Sequence, residues 1–329
     1  KSQYGRAMGL VGVIIGFAPA IGPTISGVII DVWGWRAVFV ALAAVGVAVI
    51  ALTVPFLPNV MRSLSSHKHF DAASAVLFCL GFVLVFVGMS FAEGAGHASV
   101  AAAALAAGVA LLVLFARRQL RIPNPLLKLS CFKNRNFTVG VGLVIVGQLS
   151  FLSASIMVPL FVQDVQGYSA AVSGLVILPG AVLLGFLNPV TGRILDARGP
   201  RPLLYAGCAL LVAGTLAFVA CDAATPAWVV TALYGVRICG VACLMMPMTA
   251  YASKQLALDD MAQGTAIITS TRQLISSLLS SGLIAIMAAA SSNELGVDAH
   301  GFGVSFTVLA AAIAAGCVAG ALLLPRKRR

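Results

Sequence analysis

Apolar runs recur roughly every thirty residues along this 329-residue chain, separated by short polar segments. Each run is about long enough to cross a ~30 Å hydrocarbon core as a helix. The pattern places ten spans at 7–30, 37–58, 72–92, 98–116, 137–161, 170–190, 203–221, 227–248, 263–290 and 302–324. Short alternating segments of the barrel type do not occur in it. It therefore predicts an all-α, polytopic membrane protein with about ten transmembrane helices. The longest polar connection, 117–136, carries six basic residues and two prolines, Pro123 and Pro125, which disfavour a continuous helix. It reads as an amphipathic linker with Leu126, Leu127, Leu129 and Phe132 at the interface, and the main structural boundary falls there.

Composition agrees with bilayer as the solvent. Sixty per cent of the residues are hydrophobic and 9% are charged, too few charges for a soluble domain of this length. A net charge of +11 would suggest nucleic acid as the partner of a soluble protein, but here its placement argues against that. Eighteen of the 21 Lys and Arg residues fall in alternate connecting segments: Lys1 and Arg6, Arg62 and Lys68, Arg117 to Arg135, Arg193 to Arg201, Lys254, and Arg326 to Arg329. Arg36 alone lies in the opposite set, and Arg237 and Arg272 fall within spans. The positive-inside rule then puts both termini in the cytoplasm, with an added contribution from anionic lipid.

The seven cysteines lie mostly within spans and do not pair in outer loops, so no disulfide framework is implied. Cys239 and Cys243 share a helix face with no His or carboxylate beside them, and read as packing residues. His67 and His69 lie in a Ser-rich basic loop and read as solvated. No metal and no cofactor is expected. Residue 1 is Lys, with no signal-peptide pattern ahead of the first span, so the chain is expected to be cut partway through a longer protein.

The first span carries small residues at Gly5, Gly9, Gly12 and Gly16, a spacing that lets another helix approach closely. Ala18, Gly22, Pro23, Ser26 and Gly27 follow. The set Gly9, Ala18, Gly22, Pro23, Ser26 and Gly27 resembles the antiporter motif of the major facilitator superfamily, with Ala18 and Ser26 standing where that motif has glycines. The segment Trp33 to Phe39 resembles the tryptophan–arginine signature that follows the motif in the fourteen-helix drug:proton antiporters. Cys131 to Phe137, Phe161 to Ser169 with Ser173-Gly174 and Leu178-Pro179, and Gln263 to Ala266 with Arg272 to Leu274 are similar to further segments of that family. Ser276 and Ser277 replace its usual glycines. Gly192, Arg193, Asp196, Arg198, Gly199 and Arg201 are similar to the superfamily's charged loop motif, with Ala197 and Pro200 as departures.

The resemblance implies two six-helix bundles with two helices inserted between them. On that scheme residues 1–70 hold the last two helices of the N-terminal bundle, and 71–116 are the inserted pair. Residues 117–136 are the basic cytoplasmic linker, and 137–329 form a complete C-terminal bundle with a basic tail. The implied protein sits in the bacterial plasma (inner) membrane and expels amphipathic drugs in exchange for protons. Its partners are the lipid bilayer, a small organic substrate and protons, with no nucleic acid. The missing N-terminal helices or an accessory export subunit would complete it. A single-metabolite exporter, a solute:proton symporter and a non-transporting assembly subunit or remnant are the alternatives. An enzyme is not expected, since no nucleophile, phosphate or metal motif occurs in any loop.

Particular residues carry the expected chemistry. Arg237 lies mid-span, where a charge costs ~2.5–3.5 kcal/mol on insertion scales, so it should face the bundle interior or a wet cavity, paired with a carbonyl or carboxylate. Proton coupling, a structural hinge and snorkelling are its open readings. Arg272 lies in a polar half-helix that either lines a pathway or snorkels to the interface. Gln148 adds polar content suited to interhelical hydrogen bonds. Asp196, in reach of Arg193, Arg198 and Arg201, would form a cytoplasmic latch that releases as the transporter rocks. Asp31, Arg36, Gln163 and Asp164 sit at outer helix ends as boundary or gate residues. No carboxylate falls convincingly mid-span. The family's titrating carboxylates lie in helices one and four, so this chain alone is expected not to transport.

Overall fold

The computed structural model describes residues 22–56, 71–92, 98–122, 125–256, 261–291 and 298–324. Gly9 and Ala18 of the antiporter-like motif lie outside the described residues. The described elements are α1 (residues 22–33), α2 (Trp35–Phe56), α3 (Ala72–Ala92), α4 (Ala98–Gln119), α5 (Arg135–Leu160), α6 (Ala170–Arg198), α7 (Pro200–Val219), α8 (Ala227–Ser253), α9 (Met261–Ala290) and α10 (Ala299–Leu323). A short 3₁₀ turn, Leu129–Lys133, precedes α5, and a π turn, Phe161–Val165, ends it. Among the described residues nine helices are long and apolar enough to cross a membrane, so the all-α, polytopic expectation holds.

Several helices outrun the expected spans. α4 continues to Gln119, α6 to Arg198 and α8 to Ser253. Most of the charged motif around Asp196 is therefore the last two turns of a helix. Hydropathy stops counting a helix where its charges begin, but backbone hydrogen bonding continues until a residue ends it. At α6 that residue is Gly199, whose φ of +80° caps the helix and leads directly into Pro200 at the start of α7.

Helices α5 to α10 make one bundle with alternating direction. α8 is its centre, flanked by α5, α6 and α7, while α10 packs on α5, α7 and α9. The ends carrying Arg135, Asp196, Arg201, Lys254 and Leu324 gather at what is called here the basic end; the turns at Gln166, Thr225 and Asp298 form the far end. The core runs from Phe137 through Val144, Met157, Leu211 and Leu244 to Ile313. Toward the far end an aromatic column fills it, with Phe161 stacked on Phe302 at 4.3 Å and Phe306 tilted against Phe302 at 4.4 Å. One expectation about cysteine is corrected: Cys208 of α7 and Cys317 of α10 form a disulfide, with Cα atoms 5.8 Å apart. The two lie 109 residues apart in adjacent helices, so spacing carried no sign of it.

Helices α3 and α4 form a separate hairpin. Gly81 and Gly88 of α3 and Gly108 of α4 let the two backbones meet, a Cβ at Gly108 falling 2.8 Å from the Gly81 carbonyl oxygen. Its basic end is tied by Arg118, whose Nε and Nη2 donate to both Asp71 carboxylate oxygens at 2.9 and 3.0 Å. Ser74 donates to Asp71 at 2.6 Å, buried Gln119 donates to Ser74 at 2.7 Å, and the Leu127 N–H donates to Gln119 at 3.1 Å. The Arg118 guanidinium, helped by the Ser74 hydroxyl, holds the Asp71 carboxyl well below the usual carboxylate range. α2 differs from every other span, because none of its most apolar window is buried against the described residues.

Candidate functional site

Two arginines lie at mid-depth in the bundle, in different environments. Arg237 of α8 is 1% exposed. Its Nη2 donates to the Ser150 carbonyl at 3.1 Å and to the Ser150 hydroxyl at 2.9 Å across the α5–α8 contact. Its Cζ lies 5.2 Å from the Phe306 ring centroid and 5.8 Å from that of Phe218. Gly214 of α7 makes the room: a Cβ there would stand 2.7 Å from Arg237 Cγ. Among the described residues Nε and Nη1 have no hydrogen-bond partner. A carbonyl, a hydroxyl and two ring faces thus share the desolvation of the cation, and no described carboxylate does. Tyr234, one turn earlier on α8, lies 3.4 Å by its hydroxyl from that of Ser155.

Arg272 of α9 is only half-buried. Its Nη1 donates to Oε1 of buried Gln148 on α5, and the Gln148 amide in turn donates to Gln273 at 3.4 Å. Deeper in the same contact Ser153 and Ser280 share a hydrogen bond at 2.9 Å, and Ser276 donates to the Ile145 carbonyl at 3.4 Å. The α5–α9 seam is therefore a ladder of polar side chains. One edge of Arg272 and the exposed Gln273 and Thr269 stand on the bundle surface partway along α9.

At the far end α1 closes against α6. A Cβ at Gly27 would overlap the Ala170 carbonyl, and one at Gly174 would lie 2.9 Å from Thr24 Cα, so the backbones touch. The Thr24 hydroxyl donates to the Gly174 carbonyl at 3.2 Å. Asp31 accepts from the N–H groups of Ala170 at 3.2 Å and Ala171 at 2.9 Å, capping α6 from another helix. The Ala171 N–H, the Ser169 hydroxyl and the Ala170 N–H lower the pKa of its carboxyl, against a smaller opposing effect of desolvation. The other expected outer-end residues do not join this contact. Arg36 lies over its neighbour Trp35 at 4.5 Å, Gln163 donates to Ser173 at 2.9 Å, and Asp164 is exposed. Gly22 has open space around it, and Pro23 contributes its carbonyl to the contact with Gly174.

The arrangement expected around Asp196 is corrected. Asp196 pairs with Lys254 of α8 at 2.8 Å, both side chains largely exposed. Arg201 instead donates to the Leu324 carbonyl at 3.3 Å, and Arg193 and Arg198 are exposed. α6 turns Asp196 toward α8, while Arg201 has already entered α7 beyond the Gly199 turn. Sequence reasoning missed Lys254, 58 residues away, and the rings around Arg237. It could have found Tyr234, which shares a helix face with Arg237 at a spacing of three.

Residues 1–281 match the sequence model of the Major Facilitator Superfamily. Among curated proteins the chain is similar to the lincomycin resistance protein LmrB of Listeria monocytogenes, 35% identical over 88% of this chain and 61% of that protein. It is similar to the uncharacterized MFS-type transporter YcnB of Bacillus subtilis, 33% identical over 94% of this chain and 66% of that protein. With the multidrug resistance protein Stp of Mycobacterium tuberculosis it shares 25% identity over 87% of this chain and 53% of that protein. The chain thus spans between half and two thirds of the length of these relatives. A helical, many-span chain whose sequence matches over residues 1–281 belongs to the major facilitator superfamily of membrane transporters.

Proposed function

We propose that this chain is the larger part of a proton-coupled efflux transporter for amphipathic organic compounds, working by alternating access between two bundles. The basic end faces the cytoplasm of a bacterial cell, following the charge asymmetry of the loops. The observation that carries the reading is the half-exposed Arg272, held by Gln148 on the bundle surface at mid-depth. Lipid is a poor solvent for that edge, so it faces a wet cavity or a second bundle. The α1–α6 seam supports it, since alternating access needs a contact that closes one end of the cavity. Relatives named for lincomycin and multidrug resistance favour a drug-like substrate.

The polar residues divide by exposure. Arg272, held in place by buried Gln148, meets substrate or proton in the cavity, whereas Arg237, sealed in the bundle, braces α5 against α8. Asp196 and Lys254 tie α6 to α8 at the basic end. Among the described residues no carboxylate lies in the middle of a span, so the titrating carboxylate is assigned to another part of the protein. The chain by itself is therefore inactive. The test is extrusion from proteoliposomes under an imposed pH gradient, for the protein extended to its relatives' length and for this chain alone. The extended protein should expel amphipathic dyes or lincomycin, and a protonophore should stop it. Uptake with protons, or movement of one metabolite only, would select a symporter or a dedicated exporter. Extrusion by this chain alone would contradict its assigned inactivity.

A further inference from the structure

A cavity that contains charged groups lies outside the α5–α9 seam, at the basic end between α5, α7 and α10. Its volume is about 850 Å³, and Arg135, Asn136, Arg201, Tyr205, Leu322 and Leu323 are among its walls. We propose that it binds an anionic phospholipid, with the headgroup phosphate on Arg135 and Arg201 and the acyl chains along Leu322 and Leu323.

Four observations lead there. Arg135 opens α5 and Arg201 lies in the first turn of α7, so two positive helix ends and two guanidinium groups converge on one space. Arg201 spends Nη2 on the Leu324 carbonyl, but its Nε is buried with no partner among the described residues. Both described carboxylates of this end are already taken, Asp71 by Arg118 and Asp196 by Lys254, and none lines the cavity. The α10 wall is apolar, with Leu322 78% exposed, and exposed Tyr205 is among the lining residues, its hydroxyl a potential donor to an anion. A free phosphate would use the cations and leave the leucine wall unmatched; a lipid satisfies both.

Native mass spectrometry of the full chain, released from neutral detergent with phosphatidylglycerol or phosphatidylcholine added, tests this. The chain should retain one phosphatidylglycerol in preference to phosphatidylcholine. Arg135→Gln and Arg201→Gln should each weaken retention about fivefold. Arg193→Gln and Arg198→Gln, at exposed arginines of the same end that do not line the cavity, should leave it unchanged. Arg201→Gln also gives up the bond to α10, so if it unfolds the chain, Arg135→Gln and a smaller loss in Tyr205→Phe decide the matter. Equal loss with Arg193→Gln would reduce the effect to general surface charge and overturn the site. Equal retention of the two lipids would do the same, and displacement by millimolar inorganic phosphate would make it an oxyanion site with no role for lipid.

Discussion

α2 and α5 are both apolar helices long enough to cross a bilayer, yet they sit at opposite extremes of burial. α2 is the most apolar of the nine described spans and the least covered; α5 is less apolar, and most of its window is buried among α8, α9 and α10. In water the more apolar helix would be the inner one. In lipid the preference weakens, because hydrocarbon outside is as good a solvent as side chains inside, and small and polar residues mark the packed faces. Gly140, Gly147, Gln148, Ser150 and Ser153 are what make α5 an inner helix. α2 carries Gly46, with open space around it, and Thr53, bonded within its own helix.

The same contrast separates the bundle from the α3–α4 hairpin and the α1 contact, and substitutions can probe each in turn. The largest effect is expected at Arg237. Arg237→Ala removes the two bonds to Ser150, leaves the Phe218 and Phe306 faces without a cation and opens a cavity among four helices. A loss of about 2–4 kcal/mol is expected, read from denaturant unfolding of the bundle. Arg237→Lys should recover only part of it, since one ammonium cannot span both partners.

A smaller and local effect is expected in the hairpin. At Gly108→Leu the new Cβ would also stand 2.8 Å from the Val85 backbone nitrogen, and α3 and α4 must separate at a cost of about 1–3 kcal/mol. Hydrogen exchange should quicken in α3 and α4 and stay unchanged in α5 to α10. Faster exchange throughout the bundle would show that the hairpin is part of its core.

Gly27→Val should act on function with little effect on bundle stability, because its Cβ would strike the Ala170 carbonyl in the α1–α6 seam. Drug extrusion by the extended protein should fall while the unfolding midpoint of α5 to α10 holds. Mildest of all is Asp31→Asn, which keeps an acceptor for the Ala170 and Ala171 N–H groups and loses the charge. The pH dependence follows from the lowered pKa of Asp31: its contribution is complete above the ordinary value of 3.8 and disappears as pH falls through the depressed one. Spin-label distances across the seam should therefore stay constant through neutral pH and broaden only in strong acid. Broadening near neutrality would assign the contact to another group.

Much of the fold was legible because a span announces itself within twenty or so residues. Ends and partners were not. Charges at Arg117, Asp196 and Lys254 hid the last turns of α4, α6 and α8, where hydropathy falls but the helix continues. Arg237 could be singled out from the sequence because a mid-span charge is costly wherever it points. Its partners on other helices could not, because Ser150 is 87 residues away and two rings come from α7 and α10. Arg272 and Gln148 were each visible as polar, but their hydrogen bond across 124 residues needed the helices in place. The Cys208–Cys317 disulfide shows the same limit.

In the proposed transporter the exposed edge of the α5–α9 seam faces a cavity open to alternate sides of the membrane. Gln273→Cys, placed in the extended protein and compared with its unsubstituted parent, tests it through reaction with a membrane-impermeant thiol reagent. Reaction is expected from the basic end while the α1–α6 seam is closed, and from the opposite side when substrate and a pH gradient drive the seam open. Reaction confined to lipid-soluble reagents would place Gln273 and Arg272 against the bilayer and contradict the account.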